Sequence, residues 1–392
     1  ADFVIVNTCG FLDEAREESI EKILDIEELR KNKVIESLIV AGCMPERFEG
    51  ELKKELKHVD HYFGSDQSSD IIEYLCSETH AQYDPDFTRL LSTPAHYAYL
   101  KIAEGCDNGC SFCSIPMMRG LQKSQPVEWN YQEAERLVKA GVKEIMIIAQ
   151  DSTSYGWDLT PKANLSELLI RLDKIKDLEW IRLHYAHPAH LHKSAIACFK
   201  DLERLIPYID MPIQHASDKV LTNMRRGLKI DGIKRKIEGL RSQTPDMTLR
   251  TSLIVGFPDE TDEDFKLLYD FIKEIKFDRL GVFLYSEEEG TYGAKAFKDN
   301  IPSEVKKERF DALMSLQNKI SLSKNKNLIG TTQKVIIDAH TQEGASIGRT
   351  FRDSPGIDNT ITFNSRLSIG GFYNAKIVNA SHYNLEGEIS NE

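Results

Sequence analysis

No stretch of this sequence approaches the ~20 consecutive apolar residues that a membrane-spanning helix needs, and the start, Ala1 to Gly10, has no basic flank resembling a signal peptide. The mean hydropathy of -0.39 agrees, and the reading excludes a membrane protein. Positive charge is also in short supply. Fifty basic residues stand against 62 acidic ones, a net charge of -12 at pH 7, which disfavours a general nucleic-acid coat and suits a basic protein partner. A disulfide framework is missing too: of seven cysteines, Cys106, Cys110 and Cys113 are bunched, while Cys9, Cys43, Cys76 and Cys198 are scattered. Extracellular scaffolds do not space cysteines this way, so a cytoplasmic protein that keeps its thiols reduced for metal binding or catalysis is expected. Finally, no initiating methionine is present. The chain opens at Ala1 inside what already reads as a strand, and a further N-terminal segment is expected.

What is present is globular in texture: 392 residues, 41% hydrophobic and 29% charged, enough for two or three domains. In the first block, to about Thr79, apolar strands Phe3 to Val6 and Ser37 to Val40 flank a charged segment after Asp13. There Ile20, Ile23, Leu24 and Ile26 are expected on one helical face. Strand, helix, strand is the order of an open α/β layer with parallel strands. Cys9 and Cys43 each follow an apolar run and so emerge at the carboxyl edge of that sheet, where ligands collect. Glu78 to Pro94 reads as a linker. Beyond it Tyr97 to Ala103, Lys143 to Ala149, Trp180 to Tyr185, Tyr208 to Ile213, Thr248 to Val255 and Arg279 to Tyr285 read as strands, with amphipathic helices such as Tyr131 to Ala140, Leu165 to Ile175 and Glu263 to Ile275 between them. Six βα units are fewer than the eight of a closed barrel, so a partial barrel with its chemistry at the strand C-termini is expected. Ser303 to about Leu328 is helical, and from Gly330 the runs Lys334 to Ala339, Thr360 to Phe363 and Asn374 to Val378 suggest a small antiparallel β-barrel.

The run Cys106-Asp-Asn-Gly-Cys110-Ser-Phe-Cys113 places three thiols within eight residues, directly after the first barrel strand. Zinc would want a fourth protein ligand, and none stands nearby at the usual spacing. A four-iron cluster held by three thiolates leaves one iron open, and an open iron can chelate a substrate. This CxxxCxxC loop, with an aromatic before its last cysteine and set at the end of the first strand of a partial barrel, resembles the radical SAM superfamily. The resemblance implies a [4Fe-4S] cluster on Cys106, Cys110 and Cys113, S-adenosylmethionine on its open iron, and a 5'-deoxyadenosyl radical as the catalytic species.

Asn7-Thr8-Cys9-Gly10-Phe11 and Ala41-Gly42-Cys43, followed by that loop and a terminal β-barrel, resemble the methylthiotransferases. The family plan implies three domains: a methylthiotransferase N-terminal domain over 1–79, a radical SAM (β/α)6 core over 92–327 and an OB-like TRAM substrate-docking barrel over 328–392. It also implies a second [4Fe-4S] cluster on three cysteines, of which Cys9 and Cys43 match the second and third. The first is expected upstream of Ala1, so the auxiliary cluster lacks one expected ligand in this chain. Cys76 and Cys198 read as buried thiols in helical context.

Among methylthiotransferases, Glu17-Glu18-Ser19-Ile20, Ala149-Gln150-Asp151 with Tyr155-Gly156, Pro212 to Asp218, Met224-Arg225-Arg226 and Gly348 to Asp353 are similar to the branch that modifies a ribosomal protein, the RimO family, rather than the tRNA adenosine branch. The implied substrate is an aspartate of small-subunit ribosomal protein twelve. Its β-carbon carries no proton that a side-chain base could remove, which makes a radical route reasonable. Two S-adenosylmethionine molecules are implied per product, as is a flavodoxin- or ferredoxin-type reductant. The family plan puts Phe112 near the adenine, Gln150, Asp151 and Gln214 around S-adenosylmethionine or the substrate, and Gly256, in Ile254-Val255-Gly256, at a close approach to the adenine. Charge is consistent: a tRNA enzyme needs cations, whereas Asp338, Glu343, Asp353, Asp358, Glu386, Glu388 and Glu392 make the last domain acidic, which would either steer a basic partner or serve only to solubilise a small barrel. His184, His187, His190 and His192 form a local cluster whose spacing and Pro188 favour polar lining or a turn over metal ligation.

Overall fold

The computed structural model describes residues 1–11, 13–81 and 89–390, so the interior of the expected linker and Glu392 lie outside the described residues. The chain packs as two compact units. One comprises Ala1–Arg89, Glu104–Gln122 and Ser286–Phe297; the other comprises Leu90–Ala103, Lys123–Tyr285 and Lys298–Glu392. Among the described residues no helix is long and apolar enough to cross a membrane.

The first unit is built on a three-stranded parallel sheet in the order β1 (Phe3–Thr8), β2 (Ser37–Gly42), β3 (His61–Phe63). β2 is buried along its whole length, as its uninterrupted apolar run requires. Helix Asp13–Lys31 covers β1 and β2 with a narrow stripe. Ile23 is fully buried while Leu24 is 48% exposed, which corrects the expected face: one residue turns a helix by 100°, out of a stripe this narrow. β3 escaped the sequence reading because three residues, two of them aromatic and one His, give no period.

The second unit contains a six-stranded, all-parallel sheet whose strands neighbour one another in chain order: β4 (Tyr97–Lys101), β5 (Glu144–Ile148), β6 (Trp180–Leu183), β7 (Leu205–Asp210), β8 (Thr248–Val255) and β9 (Arg279–Leu284). The sheet is open, as a partial barrel should be. Helices Val127–Lys139, Leu165–Leu172, Lys193–Asp201, Ile230–Gln243 and Asp262–Ile275 lie between the strands and bury one face of each, for example Leu100, Ile145, Ile147, Ile181 and Leu183. The last of these helices starts where it does because Thr261 and Asp264 form a reciprocal capping box. β7 begins and ends three residues earlier than expected. Pro212 has no N–H to give a sheet, so the apolar run Met211 to Ile213 leaves the ladder.

Helix Ser303–Lys326 leads to a closed five-stranded barrel in the order β10 (Thr332–His340), β11 (Ser346–Thr350), β12 (Thr360–Phe363), β14 (Asn384–Ile389), β13 (Phe372–Ala380). It is not wholly antiparallel: β12 and β14 run parallel. An odd number of strands cannot alternate all the way round a closed ring, so one parallel pair is obligatory. β11 and β14 went unread because Gly348 and Gly387 interrupt their patterns. Gly348 is a steric necessity, since a Cβ there would sit 2.3 Å from the Ile336 carbonyl oxygen, whereas one at Gly387 would press on side chains of the barrel core, 2.7 Å from Ile361 Cδ1.

A buried ionic layer joins this small barrel to the parallel sheet. His96 Nε2 lies 2.8 Å from Asp338 Oδ1, Arg349 Nε lies 2.9 Å from Asp338 Oδ2, Arg349 also pairs with Glu144, and Arg182 Nε donates to Glu144 at 2.8 Å. Burial works against the Glu144 charge, but Arg349 and Arg182 hold its pKa below the usual carboxylate value. Alongside, Arg279 pairs with Asp353, and Asp358 accepts from Tyr208 at 2.8 Å. The expected acidic face therefore needs correction. Asp338, Asp353 and Asp358 are spent inside the protein, because arginines of the sheet's polar face need counter-charges; Glu343, Glu386 and Glu388 are exposed.

Candidate functional site

β1 and β2 are parallel and in register from Phe3↔Ser37 to Thr8↔Gly42, so Cys9 and Cys43 leave neighbouring strand ends together. The two turns are in contact. A Cβ on Gly10 would lie 2.9 Å from the Cys43 carbonyl oxygen, and Gly42, at φ 104°, packs with its Cα against the Thr8 backbone. Thr8 Oγ1 donates to Ala41 O at 2.8 Å and accepts from Met44 N–H at 3.4 Å, and Ser19 Oγ accepts the Cys9 N–H at 3.2 Å. Cys9 is exposed and Cys43 buried. Two thiols thus stand at one sheet edge.

The chain leaves the parallel sheet after Ala103 and forms the Cys106–Cys113 loop within the first unit. Gly105, at φ 76°, starts the turn, and its missing Cβ leaves room for the Leu121 carbonyl oxygen, 2.2 Å from where that atom would be. Cys106 N–H donates to Gly120 O at 3.1 Å and Asp107 Oδ1 accepts from Gln122 N–H at 2.9 Å, closing the loop base. Cys106 is buried; Cys110 and Cys113 are half-buried, as is Phe112 between them. Asn108 Nδ2 donates to Cys106 Sγ at 3.3 Å, the kind of N–H···S contact that tunes an iron-sulfur centre. Ser111 Oγ and Ser114 Oγ are buried without hydrogen-bond partners. Two such hydroxyls among three thiols fit a loop built round a polar or charged group.

Thiolates on one zinc, at ~2.3 Å each, stand about 3.8 Å apart. Among the described residues the one set of three His, Cys, Asp or Glu donor atoms within 4.8 Å of one another is Asp151, His187 and His190. The loop itself offers three thiolates and no fourth protein ligand beside them in sequence, the number that leaves one iron of a four-iron cluster open.

In the second unit Gln150 and Asp151 end β5. Gln150 is half-buried, whereas Asp151 is 1% exposed and committed: Oδ1 accepts from Thr153 N–H at 2.9 Å and Oδ2 lies 2.7 Å from His190 Nδ1. Gln214, at φ 71°, is half-buried and bridges to Leu253 beyond β7. Gly256, at φ 75°, does make room for a close approach, but by Lys306: a Cβ there would lie 2.3 Å from Lys306 Cγ. Its N–H donates to Glu260 Oε2 at 2.6 Å.

The four histidines have four local tasks. His184 Nε2 lies 3.1 Å from Ser354 Oγ, His187 Nδ1 accepts the Ala189 N–H at 3.3 Å, His190 pairs with Asp151, and His192 caps helix Lys193–Asp201. Burial first, then Arg226, pushes His187 down to about 3, so it is neutral. Cys198 is buried as expected, and burial pushes its thiol up. Cys76 is only half-buried, a correction to the expected core thiol, because helix Ser68–Thr79 buries none of its residues fully.

Sequence reasoning missed Arg47 and Glu288. Arg47 follows Cys43 by four residues on one helix, the same face, which was the available signal. It also missed Glu144 and Arg182, single charges inside apolar strand runs and the strongest sign of a buried pair.

Comparison with known proteins places these features. Family models match the Radical SAM superfamily at residues 100–272, the TRAM domain at 329–389 and the uncharacterized protein family UPF0004 at 1–64. A curated relative, the ribosomal protein uS12 methylthiotransferase RimO of Trichlorobacter lovleyi, is 44% identical over 408 residues, covering 100% of this chain and 90% of that one. The protein of the same name from Flavobacterium johnsoniae is 42% identical over 391 residues, covering 99% and 88%. Among solved structures, the radical S-adenosylmethionine methyltransferase TsrM from Kitasatospora setae aligns with a TM-score of 0.55 at 13% identity, over 72% of this chain and 62% of that one, a likeness of fold.

Proposed function

Because the chain belongs to the RimO family of ribosomal protein uS12 methylthiotransferases, within the radical SAM superfamily, we propose that it adds a methylthio group to the β-carbon of an aspartate in ribosomal protein uS12, consuming two S-adenosylmethionine molecules per product. The observation that supports this reading is the Cys106–Cys113 loop, which gathers three thiols and two unpartnered buried hydroxyls into one turn. Cys106, Cys110 and Cys113 would hold a [4Fe-4S] cluster, and Cys9 and Cys43 would supply two thiolates to a second one. When bound, the first cluster supplies the electron for reductive cleavage of S-adenosylmethionine, and the second carries the sulfur to be transferred.

The protein's own groups bind and orient. Asn108 would steady the Cys106 thiolate through its N–H, and Phe112 would offer an apolar surface to the adenine. Gln150 and Gln214 have half-buried amides suited to hydrogen-bonding polar groups of the cofactor or substrate. Asp151, with both oxygens engaged, serves by holding Thr153 and His190 in place. Gly256 shapes the end of β8 around Lys306. We assign residues 1–79, 92–327 and 328–392 to auxiliary-cluster, radical and substrate-docking functions, a flavodoxin- or ferredoxin-type protein as the electron donor, and the cytoplasm as the location.

The test is anaerobic reconstitution followed by incubation with reductant, S-adenosylmethionine and either uS12 or tRNA. The reading expects 5'-deoxyadenosine and a methylthio-aspartate in uS12, both abolished by Cys110→Ala. A modified adenosine in tRNA with unmodified uS12 would replace it with the tRNA-directed reading.

A further inference from the structure

The segment Ser286–Phe297 follows the last strand of the parallel sheet in sequence, yet it packs with the unit that holds Cys9, Cys43 and the Cys106–Cys113 loop. Its first half meets the Cys9 and Cys43 turns. Arg47, one helical turn after Cys43, has a side chain only 6% exposed. Its Nη1 donates to the carbonyl of Gly10, the residue after Cys9, at 2.8 Å and lies 3.4 Å from Glu288 Oε2, while Nη2 donates to Glu289 O at 3.1 Å. Arg16, from the helix that follows the Cys9 turn, lies 3.7 Å from the same Glu288 oxygen. Glu288 itself is 2% exposed, a poor place for a carboxylate without such partners.

The second half meets the other cysteine loop. Gly293 N–H donates to the carbonyl of Ser111, between Cys110 and Cys113, at 2.6 Å. Gly290, at φ 83°, lies under Met117: a Cβ there would be 3.1 Å from the Met117 sulfur. Thr291 ties the halves together, its Oγ1 donating to Glu288 O at 2.7 Å and accepting from Ala294 N–H at 3.2 Å. A guanidinium that reaches three acceptors on two chain segments fixes their separation far better than a point charge would.

We propose that Ser286–Phe297 is a strap that sets the positions of both cysteine sites at once, with Arg47 and Glu288 as its positioning residues. The inference rests on the two-cluster reading above only for what the sites hold; the mechanical link stands on the contacts themselves. Loosening the Arg47 end frees Glu288, then Thr291, then the Gly293 contact that steadies the Ser111 peptide. A disturbance made beside Cys43 is thereby felt between Cys110 and Cys113.

The test compares the native full-length protein with Arg47→Met, Arg47→Lys, Glu288→Gln and, as a control on the same helix, Lys53→Met. Two readouts are taken: backbone hydrogen exchange over 106–117 and 286–297 without iron, and the electron paramagnetic resonance spectrum of the reduced triad cluster with and without S-adenosylmethionine. Arg47→Met is expected to raise exchange in both segments by about tenfold or more and to shift the spectrum at unchanged triad iron content, because a charged hydrogen-bond network restrains local opening. Arg47→Lys should recover part of the effect, and Lys53→Met should match native in both readouts. Unchanged exchange over 106–117 in Arg47→Met overturns the strap. If that variant does not fold, Glu288→Gln, similar in shape and lacking only the charge, decides by the same measure. Failure of the native protein to bind iron at the triad would instead count against the two-cluster reading, while the exchange arm would still decide the strap.

Discussion

At Gly105 one hydrogen atom decides whether the three-cysteine loop can form. The residue has φ 76° and its absent Cβ would lie 2.2 Å from a backbone oxygen, which cannot step aside as a flexible side chain could. Gly105→Ala should therefore leave the rest of the protein folded yet lower iron bound per reconstituted chain by at least half, read by iron and sulfide analysis. His187 gives a prediction of a different kind. Its folded pKa of about 3 lies below the ordinary value of 6.5, so between those values the unfolded chain binds a proton that the folded chain refuses. The stability this contributes is complete above pH 6.5 and is lost as pH falls toward 3, by an amount on the order of a few kcal/mol. Denaturant melts of native and His187→Phe protein should converge as pH falls from 7 to 4; parallel pH profiles would contradict it.

Among the elements, the cysteines were legible and their supports were not. The Cys106 loop shows in the sequence because its chemistry is packed into eight adjacent residues, and the Cys9 and Cys43 turns show because each ends an apolar run. The strap that contacts both was invisible: Glu288 and Arg47 are 241 positions apart, and only folding brings them together. Strand limits failed where a proline or glycine broke the pattern, at Pro212, Gly348 and Gly387. At Gly256 the sequence shows the missing Cβ but not Lys306, whose stem fills the space that a side chain there would need. Gly256→Ala, which must displace a lysine stem held through its Nζ at Tyr285 O and Asp299, should cost about 1–3 kcal/mol in a thermal melt.

For the molecule as a whole, the small C-terminal barrel is bolted to the parallel sheet by charges rather than tethered. Asp338, Asp353 and Asp358, which composition alone offers as an acidic docking face, are part of those bolts, so these three do not form an open acidic face for a basic partner. Arg349→Met takes one of two partners from each of Glu144 and Asp338, leaving Arg182 and His96, and should destabilise the protein by about 2–3 kcal/mol, measured by denaturant unfolding. The account as a whole rests on the three-cysteine loop driving sulfur insertion into a protein. Its most direct test is mass spectrometry of uS12 after incubation with the anaerobically reconstituted full-length protein, S-adenosylmethionine and reductant. The expected result is one methylthio group on a single aspartate, with one 5'-deoxyadenosine and one S-adenosylhomocysteine formed per product. Unmodified uS12 despite 5'-deoxyadenosine formation, or a modified product from the Cys110→Ala protein, would contradict it.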